Sequence, residues 1–198
     1  MIDKYKSIEE VSKVLDKESN FYIKDVEQID KCINHIFQLI TDAYTLYINN
    51  SFSSSAFLSI AVIEEVAKVH IGIYIKGADE RVNKDKLRDH KTKEIIGVNY
   101  TISMGERLKI AIGDEALKKI YDLAYSGEMK NLRETSIYCD RRDDTIVIPS
   151  DIIDKEFARS LLLFAIESFD DNLVGYTNHS MDISNKTDEL FDTIANTN

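Results

Sequence analysis

Chain breaks are what this sequence has least of. Its 198 residues include one proline and seven glycines, too few for a many-stranded sheet with its frequent tight turns. Long helices are the expectation. Two cysteines, Cys32 and Cys139, cannot build a disulfide framework and fit a reducing compartment. The longest purely apolar run, Leu161–Ile166, is far too short to cross a bilayer. The opening residues, Met1 to Glu10, carry no apolar stretch of the signal-peptide kind. A cytoplasmic protein with no membrane association is therefore expected. Several chemical signatures are also missing. There is no glycine-rich phosphate loop and no GxSxG elbow. There is no HExxH, no CxxC pair and no Glu-x-x-His for a di-iron bundle. No metal and no cofactor are expected.

Basic residues are outnumbered. Lys and Arg total 25 against 35 Asp and Glu, a net charge of −10. That excludes a protein gripping nucleic acid with its whole surface, but not a local basic groove. The charge is unevenly spread. Arg81, Lys84, Lys86, Arg88, Lys91 and Lys93 crowd one stretch against Asp85 and Asp89, whereas acids dominate after Asp140. Such runs are ordinarily solvated faces.

What is present suits helices. With 43% apolar residues, a chain of this length buries a sizeable single core. A short helix is predicted over residues 7–17, followed by a strong one over 25–49. In the latter, Ile29, Ile33, Ile36, Ile40, Ala43 and Tyr47 recur at three and four residues and so share a face. A second long helix over 53–76, capped by Ser51, Ser53 or Ser54 and ended by Gly77, should bury Phe57, Ile60, Ala61, Ala67 and Ile71 and pair with the first as a hairpin. A helix over 84–97 should end near Gly97. Another should start after Gly105 or Gly113 and run through Leu117, Ile120, Tyr121 and Ala124 towards Leu132. A turn and a small extended piece fall at 143–149, ended by Pro149. Ser150 or Asp151 should cap a long helix to about Gly175 that buries Phe157, Leu161, Phe164, Ala165 and Phe169. The expected fold is all-α: a bundle of four to five long helices plus short ones. Residues 1–24 form a lead-in, 25–176 the bundle and 177–198 a polar tail with one amphipathic patch (Leu190, Phe191, Ile194), read as a loosely attached helix.

Polar chemistry collects in three places. Glu64 lies in line with Ile60, Ala61, Lys68 and Ile71, which puts a carboxylate on or beside an apolar stripe. Exposed, a Glu64–Lys68 pair contributes only about 0.2–0.5 kcal/mol. Buried, the carboxylate must meet a cation, and Lys68, Arg133 and Lys130 are the candidates. His90-Lys91 follows the basic run; it reads either as an exposed loop or as an imidazole set to touch phosphate or move a proton. Residues 128–140 carry Lys130, Arg133, Tyr138 and Asp140 at the end of an apolar helix. By contrast, Cys32 and His35 share one helical face and read as a packed thiol and a half-exposed imidazole.

The ordered set Ser-Ile-Ala-Val-Ile-Glu-Glu-Val-Ala-Lys (59–68), His90-Lys91, Lys130-Asn131-Leu132-Arg133-Glu134, Ile137-Tyr138-Cys139-Asp140 and Pro149 with a long helix after it resembles the AbiV group of abortive-infection proteins. These in turn are similar to the HEPN superfamily. The resemblance covers roughly residues 25–175. It implies a HEPN-like bundle, commonly a homodimer, acting in phage defence by shutting down translation. An RNA or ribosome-associated target and a phage-encoded activator are the implied partners. Many HEPN relatives are metal-independent ribonucleases whose Arg-x(4–6)-His pair acts on RNA phosphate. Here Tyr138 stands where histidine is expected, an Arg-x4-Tyr, and the nearest later histidine is His179. A phenol with a pKa of about 10 is a poor base at neutral pH, so His90 is the imidazole that can stand in.

On this reading Arg133, Tyr138 and His90 are the candidate catalytic residues. Lys130, Asn131, Lys91 and Arg88 would hold phosphate, and Glu64, Glu65, Lys68 and Asp140 would support them. Two other readings stay open. One is a non-catalytic module that blocks the translation machinery or binds a phage protein. The other is a nucleotide-binding partner of another toxin component.

Overall fold

The computed structural model describes residues 5–104 and 106–196. Eight α-helices make up most of the described chain. They are α1 (Tyr5–Leu15), α2 (Val26–Ile48), α3 (Phe52–Tyr74), α4 (His90–Met104), α5 (Glu106–Ser126), α6 (Glu128–Thr135), α7 (Lys155–Leu173) and α8 (Asn178–Ala195). Strands are minimal. β1 (Glu18–Ser19) pairs in parallel with β2 (Lys76–Gly77), and β3 (Asp140–Arg142) forms a hairpin with β4 (Thr145–Val147). Among the described residues no helix is long and apolar enough to cross a membrane.

The axis of the bundle is α3, packed against α2, α7 and α4, with α1 and α6 touching it as well. A helix covered on so many sides needs apolar residues all round rather than one stripe. Accordingly Ile60, Val62, Ile63, Val66, Ala67 and Val69 are all buried. Phe57 and Ala61, expected in the buried stripe, are only half-buried. The α2 stripe is buried throughout, from Ile29 to Tyr47. Asp25 caps α2 by accepting from the Gln28 N–H at 2.9 Å. Ser55 Oγ donates to the Ala43 carbonyl at 2.8 Å, which locks the α2–α3 hairpin at close range.

Several expected boundaries move, each for a physical reason. Ser51 sits at the start of α3 but makes no side-chain cap, and Ser53 and Ser54 lie inside the helix. Gly77 does not end α3; the helix stops at Tyr74 and Gly77 pairs in β2, where a side chain would run into the Tyr22 ring. The helix expected over 84–97 cannot begin at Lys84, whose φ is 60°. A single 3-10 turn, Lys86–Arg88, comes first. Then α4 starts at His90 and runs straight through Gly97. Gly97 is there because α4 crosses α3: a Cβ would sit 2.7 Å from the Ile63 carbonyl oxygen. Gly113 (φ 79°) kinks α5, and Gly127 (φ 86°) separates α5 from α6, so no helix runs unbroken to Leu132. Ser150 and Asp151 belong to a 3-10 turn, Pro149–Asp151, and Asp154 caps α7 instead, accepting from the Phe157 N–H at 2.7 Å.

The C-terminal segment is not a loose tail. Thr177 caps α8, whose Ile183, Phe191 and Ile194 enter the main core while Leu190 packs at its edge. Arg107 on α5 ties it down, pairing with Glu167 and Asp170 of α7 and with Asp188 of α8. A smaller apolar cluster (Val14, Ala67, Ile71, Ile75, Leu87, Ile96) lies between α1, α3 and α4.

Candidate functional site

Glu64 is the centre. Its place on a covered face of α3 leaves it 2% exposed, so its charge must be met inside the protein. Three side chains meet it. Arg133 Nη1 of α6 donates to both carboxylate oxygens, at 3.1 and 3.3 Å. Lys93 Nζ and His90 Nδ1 of α4 both lie on Oε2, at 2.8 and 2.7 Å. The other ring nitrogen of His90, Nε2, lies 3.4 Å from Arg133 Nη2. Residues 64, 90, 93 and 133 come from three helices, and the Gly97 crossing is what lets α4 approach α3 closely enough.

The group is anchored deep and open at one side. Lys93 is nearly buried; the Arg133 and His90 side chains are 18% and 35% exposed. With Nδ1 donating to Glu64, the His90 tautomer leaves the Nε2 lone pair towards Arg133 and the opening. Next to them lies Glu94, fully buried, with neither carboxylate oxygen hydrogen-bonded. Burial, and then the negative Glu64, push its pKa up to about 7, against the pull of Arg133 and Lys93. Arg133 Nε is likewise buried without a partner. Two unmet groups beside one ion cluster mark it as more than a packing device.

The expected residues divide. Arg133, His90 and Glu64 come together, and His90 is the first residue of α4, not a loop residue. Lys68 does not pair with Glu64; it pairs with Glu65 at 2.9 Å and lies over the Phe21 ring. The reason is geometric: Glu64 faces α4 and α6, while Glu65 and Lys68 face the edge. Lys130 is exposed and only 3.9 Å from Glu134, so it is not the cation that Glu64 needs. Asn131 donates to Glu128 on the surface. Lys91 reaches the Ser126 carbonyl at 3.4 Å, and its stem covers Gly127. Arg88 is exposed two positions before His90, at the end of the 3-10 turn. Tyr138 is 68% exposed beyond the end of α6. Asp140 is exposed in β3, 3.5 Å from Arg142. Among the described residues, the hydrogen-bonded group about Glu64 consists of His90, Lys93 and Arg133, without Tyr138 or Asp140.

Lys93 and Glu94 were missed by sequence reasoning. The signal that could have found them is their spacing: positions 90, 93, 94 and 97 fall on one helical face. Among the described residues no three His, Cys, Asp or Glu side chains are placed to hold a metal. Cys32 is half-buried and His35 exposed, which leaves them as separate surface-edge residues.

No curated protein and no solved structure is significantly similar to the chain. The family model described as AbiV, of HEPN type, matches residues 26–169, from the first residue of α2 to the last turns of α7. That span is well over half of the sequence and contains every residue of the Glu64 group, so the chain belongs to the AbiV family of HEPN proteins, a family of abortive infection.

Proposed function

We propose that the protein arrests growth during phage infection by inhibiting translation, through metal-independent cleavage of RNA at Arg133 and His90. The observation that carries this reading is the meeting of those two side chains on one buried carboxylate, although 43 positions separate them. A guanidinium held by Glu64 keeps a donor edge for a phosphate and stabilises the charge of the pentacovalent transition state. His90, oriented by Glu64, takes the proton of the RNA 2′-hydroxyl at Nε2. The 2′-oxygen bonds to the adjacent phosphorus and the bond to the 5′-oxygen breaks. The imidazolium returns its proton to that leaving oxygen. The products are a 2′,3′-cyclic phosphate and a 5′-hydroxyl.

Lys91, Arg88 and Lys130 supply positive charge on the approach, and Asn131 and the Tyr138 phenol, which can stack or donate, sit at its far edge. A second copy of the chain fits the same reading. Ile137, Tyr138, Ile146 and Ile148 are exposed in the segment that follows α6, and a partner protomer would cover them. A phage-encoded activator would act on the same face.

The competing reading, a module that blocks the translation machinery by contact alone, draws on one observation: Tyr138 stands in place of the family histidine and is far more exposed than Arg133. Mapping RNA ends in arrested cells separates the two. New ends bearing 2′,3′-cyclic phosphate, lost in Arg133→Ala, support cleavage. Intact RNA under full arrest by the wild-type chain overturns it, and full arrest by Arg133→Ala removes Arg133 from the mechanism.

A further inference from the structure

Where the C-terminal part of α3 meets the turn between α7 and α8 lies a concavity of about 300 Å³. That volume is at the small end of ligand sites. It is lined by His70, Asp171, Asn172, Val174, Gly175 and Tyr176. His70 is six residues beyond Glu64, about 9 Å along the α3 axis and about 120° around it, so the cavity and the Glu64 group use different faces of the helix. The walls are aromatic. The His70 and Tyr176 rings lie 6.2 Å apart at 60°. Tyr74, the last residue of α3, braces both: it is 5.7 Å from His70 at 73° and 6.3 Å from Tyr176 at 67°, and its hydroxyl hydrogen-bonds that of Tyr176. The chain on either side of Tyr176 is fixed as well. Gly175 (φ 94°) turns it out of α7 and donates its N–H to Ser180 Oγ at 3.1 Å, while Thr177 Oγ1 donates to Asp30 of α2 at 2.6 Å. Burial, opposed by the neighbouring Asn172, lowers the pKa of His70, so at pH 7 its ring offers a neutral π face. Asp171 is the one carboxylate in this lining. Arg107 pairs with Glu167, Asp170 and Asp188 and leaves Asp171 out. Its Oδ2 is buried with no hydrogen-bond partner among the described residues.

We propose that this cavity binds a small organic ammonium ion, with the Tyr176 and His70 rings against the cation and Asp171 as its counter-charge. Aromatic faces attract cations through the negative face of the ring, and rings set at steep angles to one another hold alkylated ammonium groups. A carboxylate that no cation of the protein has taken supplies the charge that the rings lack. The inference goes beyond the RNA reading of the Glu64 group and does not rest on it. Burial, and then Glu167, raise the pKa of Asp171 to about 7 against the pull of Arg107. A bound cation favours the ionised carboxylate, so binding near neutral pH expels a proton. The other titratable groups around the cavity are His70 across it, Asp170 turned to Arg107, and Asp30 and His179 in the groove beyond Tyr176. An ammonium held there bridges α3 and the α7–α8 turn and so strengthens the attachment of α8.

Calorimetry on the full chain tests this with four probes: tetramethylammonium, 1,4-diaminobutane, Nα-acetyl-lysine amide and the neutral 1-butanol. At pH 8 the ammonium probes should bind and the alcohol should not. Affinity should fall about tenfold from pH 8 to pH 6, because the ionised fraction of a carboxyl with a pKa of about 7 falls by about that factor. Asp171→Asn should weaken binding about tenfold or more at pH 8 and flatten the profile. Tyr176→Ala should weaken it as much, whereas Tyr176→Phe, which keeps the ring, should stay within about threefold. If Tyr176→Ala does not fold, the pH profile of Asp171→Asn decides. A diamine tighter than the lysine amide names a free amine as the source of the ammonium, and the reverse names a lysine side chain; both support the cavity. No binding of any ammonium probe, equal binding of the alcohol, or an affinity unmoved by Asp171→Asn overturns it. None of these outcomes depends on growth arrest in Arg133→Ala, so this site and the cleavage reading can each fail alone.

Discussion

Two ionic clusters in this molecule are built as inverses. At one, a single buried acid, Glu64, holds Arg133, Lys93 and His90. At the other, a single base, Arg107, holds Glu167, Asp170 and Asp188. The first leaves an excess of positive charge and is open to an anion. The second leaves an excess of negative charge and spans three helices, α5, α7 and α8, with the Phe191 ring under the guanidinium at 4.4 Å. Burial lifts Asp170 and the nearby Asp171 to pKa values of about 7, so part of their surplus charge is removed by protonation at neutral pH. Bringing like charges together is costly unless something rewards it. At Arg107 the reward is the docking of α8 onto the core. At Glu64 the helices already pack through apolar contacts and the Gly97 crossing, so the surplus cation has no comparable structural task. That contrast is why the first cluster reads as a site and the second as a clasp.

The largest expected effect comes from removing either hub. Glu64→Gln leaves Arg133 and Lys93 without the carboxylate they hydrogen-bond and should cost about 3–5 kcal/mol of unfolding free energy, the usual size for breaking a buried pair on one side. Arg107→Met should cost a similar amount at pH 8 and less at pH 5, where Asp170 is protonated. Urea denaturation at both pH values checks the pair of variants. A cost for Glu64→Gln below about 1 kcal/mol would mean that the cluster is not desolvated.

Next in size is Gly97→Ala. The added methyl meets the Ile63 carbonyl and Cγ2, both at 2.7 Å, so α4 must retreat from α3. Overpacking of this kind costs about 1–3 kcal/mol. It should also separate His90 and Lys93 from Glu64, which shows as reduced growth arrest in a variant that still folds. Stability loss with full arrest would uncouple the crossing from the site.

Gly97 also shows where sequence reading stops. In α2 a one-sided stripe met a one-sided burial, and the spacing alone placed all six core residues. In α3 most of the circumference is covered, so periodicity could not separate Phe57 from Val62. A glycine in a helical pattern signals either an end or a close approach, and residue types near Gly97 do not distinguish them. That ambiguity misplaced the end of α4 and hid the crossing that brings Lys93 and Glu94 close to α3. Arg133 was legible because a carboxylate on a buried stripe demands a cation, which narrows the partners to a few. Arg107 was not, because its three acids lie 60 or more positions away and local spacing carries no trace of them.

The pH dependence of stability sharpens the comparison further. Glu94, Asp170 and Asp171 bind protons more tightly when folded, with pKa values of about 7 against ordinary values of 4.5, 3.8 and 3.8. A raised carboxyl pKa adds stability that is fully present below the unfolded value and lost as pH climbs through the folded one. Melting temperature should therefore fall between about pH 5 and pH 8. Glu94→Gln should make that fall shallower without touching the Arg107 side, and Asp171→Asn should do the same without touching Glu64. A melting temperature flat across this range would mean that the three carboxyls are solvated.

The smallest expected change is Tyr138→Phe. At 68% exposure, with its ring beyond the last turn of α6, the hydroxyl makes no contact on which folding depends. Its loss should shift stability by less than about 0.5 kcal/mol. Growth arrest is the informative readout. If His90 does the proton transfer, Tyr138→Phe retains most of the arrest and His90→Gln loses it, because glutamine keeps a hydrogen bond to Glu64 but cannot take a proton. If the phenol itself serves where the family places histidine, the order reverses. The roles would then lie in the exposed segment after α6, and the inverse clusters would both be clasps.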